Sequence, residues 1–105
     1  MSFGQTIAEA RKKVGISQKE LATRIKKEDG APISAQYLND IEHGRRNPPP
    51  EFLLRRFAEE LKISYEYLFF IAGQYPADIR KETAAHKPED VEAAFKAFRK
   101  ALKNK

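Results

Sequence analysis

Ser17–Pro50, SQKELATRIKKEDGAPISAQYLNDIEHGRRNPPP, is the stretch that decides the fold of this chain. Its apolar residues recur three or four positions apart, the spacing that places side chains on one face of a helix. The stretch therefore predicts two short helices joined by a turn. The residues expected to face the core are Leu21, Ala22 and Ile25 in the first helix and Leu38 and Ile41 in the second.

The ends of these helices carry their own signals. Ser17, with Glu20 three residues later, fits the capping-box pattern of a helix start. Ser34 is expected to cap the second helix and Gly44 to end it. A basic loop that closes in three prolines follows at once.

Packing of the second helix leaves an exposed face with short or hydrogen-bonding side chains. These residues are Ala35, Gln36, Asn39 and Asp40. Such a surface is well suited to reading base edges in a DNA major groove.

The chain resembles the Xre/Cro-like helix-turn-helix regulators, which have the lambda-repressor-like DNA-binding fold, over roughly residues 3–72. The resemblance rests on Gln18, on the Leu21-Ala22 pair and on the ending Ile41-Glu42-His43-Gly44-Arg45-Arg46-Asn47-Pro48. One departure is plain, because about six residues, Lys26 to Ala31, are inserted into the turn between the two helices.

Base recognition is what the resemblance implies for the exposed face of the second helix. Gln36 can pair with adenine through two hydrogen bonds, and Ala35 can touch a thymine methyl group. Asn39 aligns with a further base-facing position. Asp40 could accept from a cytosine amino group, or it could only orient Arg45 or His43.

Phosphate contact is implied for a second group of residues. Backbone amides at a helix start already favour an anion, so the residues beside them are candidates. Ser34 could also be a plain helix cap, the two arginines a solvated patch, and Tyr37 a packing residue of the lengthened turn. The candidates are Gln18, Ser34, Tyr37, His43, Arg45, Arg46 and Asn47.

Arg11 and Glu42 have a structural role in the same resemblance. The family carries an Arg–Glu ion pair at these positions, tying the first helix to the end of the recognition helix. A guanidinium can donate two parallel hydrogen bonds to one carboxylate. We therefore expect scaffold residues here, with no direct role at DNA.

The whole chain, 105 residues long, is predicted to be all-α, with a lambda-repressor-like domain of five helices over residues 1–73. Residues 74–105 are expected to form a hinge and an amphipathic C-terminal helix that serves dimerisation. The residues assigned to dimer contacts are Phe69, Phe70, Val91, Phe95, Phe98 and Leu102. Both phenylalanines could equally fill the core, and the C-terminal helix could pack within its own chain or against another protein.

Composition excludes several classes of function. The net charge of +5 makes an anionic partner plausible, and the absence of cysteine excludes disulfides and Cys-based zinc sites. His43 and His86 stand far apart, and no glycine-rich phosphate loop is present. We expect no enzyme, no cofactor and no metal.

No apolar run approaches a membrane span and the N-terminus shows no secretory signal, which predicts a cytoplasmic protein without a membrane partner.

These observations converge on a sequence-specific regulator that binds double-stranded DNA. The resemblance implies a bacterial or phage-derived protein, nucleoid-associated when bound, and a homodimeric repressor acting on a two-fold operator. The alternative is a protein-interaction module of antitoxin type, whose C-terminal segment binds a partner protein. A third possibility is a helical scaffold that kept the fold and lost DNA binding.

Overall fold

The computed structural model of the protein describes residues 1–105 and contains seven helices and no strand, so the predicted all-α fold is confirmed. The helices are α1 Phe3–Val14, α2 Gln18–Arg24, α3 Ala35–Glu42, α4 Glu51–Leu61, α5 Tyr65–Ile71, α6 Ala77–Ala85 and α7 Pro88–Lys103. The chain divides into two compact units, Met1–Gln74 with α1 to α5 and Tyr75–Lys105 with α6 and α7. None of the helices combines the length and the apolar character needed to cross a bilayer.

Serine side chains begin four of the helices. Each accepts a hydrogen bond from the backbone amide three residues on, which satisfies a donor that the helix start leaves unpaired. These residues are Ser2, Ser17, Ser34 and Ser64. Of the two hydrogen bonds of the predicted capping box at Ser17, only the one from the Glu20 amide to Ser17 Oγ forms. The Glu20 carboxylate accepts from Arg24 Nη2 at 2.7 Å instead of from the Ser17 amide.

A single hydrophobic core holds the first unit together. Burying one large apolar side chain stabilises a fold by about 1.5–3 kcal/mol relative to leaving it exposed. The large apolar side chains that are almost fully buried lie in all five helices or, for Ile25, directly after α2: Ile7, Leu21, Ile25, Leu38, Ile41, Leu54, Phe57, Leu68 and Phe69. The predicted buried stripes of α2 and α3 therefore face this core, and the opposite side of α3 is left outside.

Phe69 belongs to this core, so its assignment to a dimer contact is wrong. Its side chain is fully buried, and its ring packs edge-to-face on Tyr65 with 5.6 Å between the ring centroids. Phe70 is one position on, about 100° further round the helix, and is 57% exposed. Of the two phenylalanines, only Phe70 therefore lies at the surface.

The inserted segment between α2 and α3 forms a small closed loop. Lys26 and Pro32 make an isolated antiparallel bridge, and the Lys27 amide donates to the Ala31 carbonyl at 2.8 Å. At the base of the loop the Ile33 amide donates to the Ile25 carbonyl at 2.9 Å. Both isoleucines are buried, so the loop projects from the core surface while its two ends remain together.

Gly4 allows α1 to approach the end of α3 closely. A Cβ atom added at this position would overlap the carbonyl oxygens of Ile41 and Glu42. Those carbonyls lie in the last turn of α3, so the contact fixes where that helix ends relative to α1. The close approach also brings Glu42 towards the side chains of α1.

The second unit consists of α6 and the longer, amphipathic α7. Pro88 begins α7, acidic residues lie in its first turn and basic residues in its last, as the helix dipole favours. His86, between the two helices, lies 3.3 Å from a Glu82 carboxylate oxygen and 3.7 Å from one of Asp90. The apolar face of α7 includes three exposed large side chains: Phe95, Phe98 and Leu102.

Candidate nucleic-acid interface

The N-terminal end of α3 presents two of the four predicted base-reading residues to solvent. Ser34 caps this end by accepting from the Tyr37 amide at 3.0 Å. Ala35 and Gln36 follow in the first turn, and both are exposed. A side chain at this place projects away from the core, the geometry that a helix entering a major groove requires.

The other two predicted base readers lie one turn further along and are half-buried. Both polar atoms of the Asn39 side chain are hydrogen-bonded. Its Nδ2 donates to Gln18 Oε1 at 3.2 Å, and its Oδ1 accepts from Arg45 Nη1 at 3.1 Å. Asp40 Oδ1 accepts from Gln36 Nε2 at 3.0 Å. Both side chains therefore connect neighbouring residues in the protein as it stands without DNA.

Arg11 and Glu42 meet in an ion pair with two hydrogen bonds. Arg11 Nε donates to Glu42 Oε2 at 2.8 Å, and Nη2 donates to Oε1 at 3.1 Å. The side chains are only 13% and 4% exposed, and Arg11 Nη1 also donates to the Ile16 carbonyl at 2.9 Å. This pair joins α1 to the C-terminal end of α3, which is the scaffold role that the resemblance implies.

Gln18 belongs to the same network, and both ends of its side-chain amide bond to other protein side chains. Its Nε2 donates to Glu42 Oε1 at 2.8 Å while its Oε1 accepts from Asn39. Gln18 therefore bridges the start of α2 to α3. Sequence reasoning missed this bridge, because its partners are 21 and 24 residues away and nothing in the local pattern selects them.

The loop after α3 brings its basic side chains beside the same helix. The Arg45 amide donates to the Asp40 carbonyl at 2.8 Å, and His43 Nδ1 lies 2.9 Å from the Asn39 carbonyl oxygen. The side chains of Arg45 and Arg46 are more than half exposed. Guanidinium groups in this setting can donate to phosphate oxygens.

Tyr37 lies under one of these arginines. The Arg46 guanidinium carbon is 5.0 Å from the centroid of the tyrosine ring, a cation–π contact that holds the arginine side chain against α3. The ring itself is half-buried against the core. An open cavity at this place is lined by Tyr37, Gly44, Arg45, Arg46 and Asn47.

A continuous chain of polar contacts thus connects the scaffold to the exposed face of α3. It runs from the Arg11–Glu42 ion pair through Gln18 and Asn39 to Arg45, Asp40 and Gln36. No buried side-chain nitrogen or oxygen lacks a hydrogen-bond partner. The buried part of this network is therefore fully hydrogen-bonded, and hydrogen bonds link it to the side chains at the surface.

Comparison with known proteins agrees with this geometry. A family model described as Helix-turn-helix (HTH_3) matches residues 7–68, more than half of the chain. The HTH-type transcriptional repressor RghR of Bacillus subtilis (strain 168) is 33% identical over 72 residues, which are 69% of this chain and 49% of that protein.

A second protein of Bacillus subtilis (strain 168), the uncharacterized HTH-type transcriptional regulator RghRB, is 29% identical over 87 residues, 80% of this chain and 58% of that protein. The chain thus spans about half the length of the curated relatives it matches. The match of the family model takes in α2, the closed loop and α3 together with the helices that pack on them. The chain belongs to the Xre-like helix-turn-helix family.

Proposed function

We propose that this protein is a sequence-specific repressor that binds double-stranded DNA as a dimer on a two-fold operator. The observation that carries the proposal is the exposed Ala35–Gln36 end of α3 beside Arg45 and Arg46. A base-reading end next to a phosphate-binding loop is the combination that a DNA reader needs. The names of the two relatives, a transcriptional repressor and a transcriptional regulator, support it.

Affinity and specificity come from different groups in this proposal. Arg45 and Arg46, with His43, Asn47 and the Ser34 end of α3, bind phosphates and supply most of the affinity. Gln36 discriminates between bases by donating and accepting at adenine. To do so its amide nitrogen must leave Asp40, an exchange in which the exposed Gln36 amide replaces one hydrogen bond by another.

Dimerisation is the second part of the proposal. A two-fold operator presents its half-sites about 34 Å apart, one turn of DNA, which requires two recognition helices. The exposed apolar side chains of α7 offer a surface that a second copy can bury, as does Phe70 on α5. A helix with such a face is marginal in water unless the face is covered.

The alternative function, a protein-interaction module of antitoxin type, is favoured by the same face of α7. Phe95 and Phe98 are each 45% exposed and Leu102 is 58% exposed, so a different protein could bind there. A module of that kind would not need Gln36 beside Arg45 and Arg46. DNA binding by the isolated protein therefore discriminates between the two functions.

Selection from a randomised duplex library, followed by a salt titration, tests the proposal. We expect one enriched sequence with two-fold symmetry. If a dimer contacts about 6–10 phosphates, its affinity for that duplex falls by roughly 10³–10⁵ between 50 and 200 mM salt.

The titration has a matched pair of variants. Arg45→Ala with Arg46→Ala should weaken cognate and random duplexes alike, whereas Lys96→Ala with Lys100→Ala removes the same charge from exposed positions on α7 and should leave binding nearly unchanged. A flat salt response, or no enriched sequence, would refute the proposed function.

A further inference from the structure

Three donor groups of the candidate interface converge on Asp40. Its Oδ1 accepts from Gln36 Nε2 at 3.0 Å and lies 3.5 Å from Arg45 Nη1, and its Oδ2 lies 3.8 Å from Arg46 Nε. The Asp40 side chain is 19% exposed, while those of Arg45 and Arg46 are 59% and 56% exposed. The carboxylate is thus more enclosed than the cations that it pairs.

A carboxylate and a DNA phosphate offer a guanidinium the same kind of acceptor. Without DNA, Asp40 therefore takes the place of a phosphate for both arginines. Ion pairs at these distances and exposures are weak, so a phosphate can replace the carboxylate. The replacement still has a cost, because the pairs must open and a negative charge stays beside the bound phosphate.

We infer that Asp40 is a positioning residue that restrains Arg45 and Arg46 and thereby lowers the affinity of the protein for DNA of any sequence. The inference rests on the proposed function and assigns to Asp40 a role different from base reading. Asp40 acts through the arginines: together with Asn39 Oδ1, which accepts from Arg45 Nη1 at 3.1 Å, its charge holds the guanidinium groups against α3 until a duplex displaces them. The cation–π contact with Tyr37 keeps Arg46 near the same place.

Substitution of Asp40→Asn in the full chain tests this inference with a random-sequence duplex of about 30 base pairs. Binding is measured by fluorescence anisotropy at 50 mM salt, where phosphate contacts are strong. We expect the dissociation constant to fall by about three- to tenfold. Unfolding measured by circular dichroism under the same conditions shows that the variant is folded, so that a gain of affinity reports on the arginines.

Glu59→Gln is the matched control. It changes the net charge by the same amount, and its carboxylate lies 3.9 Å from Arg56 on α4, with the side chain 69% exposed. We expect this variant to change the affinity by less than about twofold. Equal gains in the two variants would mean that only net charge matters, and a loss of affinity in Asp40→Asn would mean that the carboxylate assists binding; either result overturns the inference.

A double-mutant cycle separates restraint from simple repulsion between Asp40 and phosphates. Arg45→Ala is introduced into the wild-type and the Asp40→Asn backgrounds. Restraint predicts that losing Arg45 costs more affinity once Asp40 no longer holds it, whereas repulsion alone predicts equal losses. Equal losses overturn the inference and leave the proposed function intact, while failure of the wild-type chain to bind any duplex overturns both.

Discussion

Gln36 is exposed at the start of α3 and donates only to Asp40, so its amide can exchange that contact for a base edge. We expect Gln36→Ala to lose about 1–3 kcal/mol of discrimination at one base pair in each half-site. Binding to random duplexes should stay nearly as before, because the phosphate contacts remain. Titrations of the selected duplex and of a random duplex measure the two effects side by side. Equal losses on both duplexes would show that Gln36 reads no base.

Glu42 accepts hydrogen bonds from Arg11 and Gln18 in a nearly water-free setting. Glu42→Ala leaves the Arg11 charge without its partner, so we expect the free energy of unfolding to fall by about 3–5 kcal/mol. Thermal or urea unfolding followed by circular dichroism measures the loss.

Glu59→Ala removes an exposed carboxylate and is the matched control for this change, with an expected effect within about 0.5 kcal/mol. The double variant Arg11→Ala with Glu42→Ala should lose less stability than the sum of the two single changes, because neither charge is then left alone. Additive losses would show that the pair is not coupled.

At the scale of single residues, the sequence predicted contacts only where the resemblance supplied a partner. Arg11 and Glu42 are an example, since they are 31 residues apart and no local pattern joins them. Gln18 and Asn39 were each predicted to face DNA, whereas their amides bond to one another inside the network. An amide can donate and accept in many directions, so its partner follows from the packing of α2 on α3 and not from its own position in the sequence.

Gly4 allows α1 to pack closely on α3, and two effects of replacing it by alanine change the free energy of unfolding in opposite directions. Helix propensity alone predicts that Gly4→Ala stabilises the protein by about 0.5–1 kcal/mol. The overlap of the new methyl group with the carbonyl oxygens of Ile41 and Glu42 predicts a loss of about 1–3 kcal/mol instead. We expect a net loss, measured as the midpoint of urea unfolding.

Glu9→Ala serves as the control for Gly4→Ala, because Glu9 is an exposed residue of the same helix. It raises helix propensity slightly without a new contact, so stability should change little. A stabilised Gly4→Ala variant would show that α1 can move away from α3 at no cost.

At the scale of elements, hydrophobic spacing and capping residues predicted α2 and α3 well, because both signals are local. The fate of the insertion was not predictable in the same way. The insertion was predicted only to lengthen the turn, whereas the structure closes it by a bridge between Lys26 and Pro32, next to the buried Ile25 and Ile33. Inside the loop the Asp29 side chain accepts from the Ala31 amide at 2.9 Å, while burial of Ile25 and Ile33 keeps the two ends of the loop at one core.

For the whole molecule, the assembly of two copies is the step that would supply the two recognition helices that a two-fold operator requires. α7 exposes Phe95 and Phe98 on one face, with Lys96 and Lys100 on other parts of its surface. If a second copy covers the apolar face, Phe95→Ala with Phe98→Ala should weaken the dimer, since each buried aromatic side chain contributes about 1.5–3 kcal/mol.

The mass in solution of the full chain at tens of micromolar, by sedimentation or light scattering, is the measurement. We expect a dimer for the wild-type chain, a shift towards monomer for Phe95→Ala with Phe98→Ala and for a chain ending at Ala85, and no shift for Lys96→Ala with Lys100→Ala. The monomeric variants should also bind the selected duplex less tightly, because a single recognition helix can contact only one half-site at a time. If the wild-type chain is monomeric, or if the aromatic variant forms an equally tight dimer, α7 does not join two copies and its apolar face serves another protein.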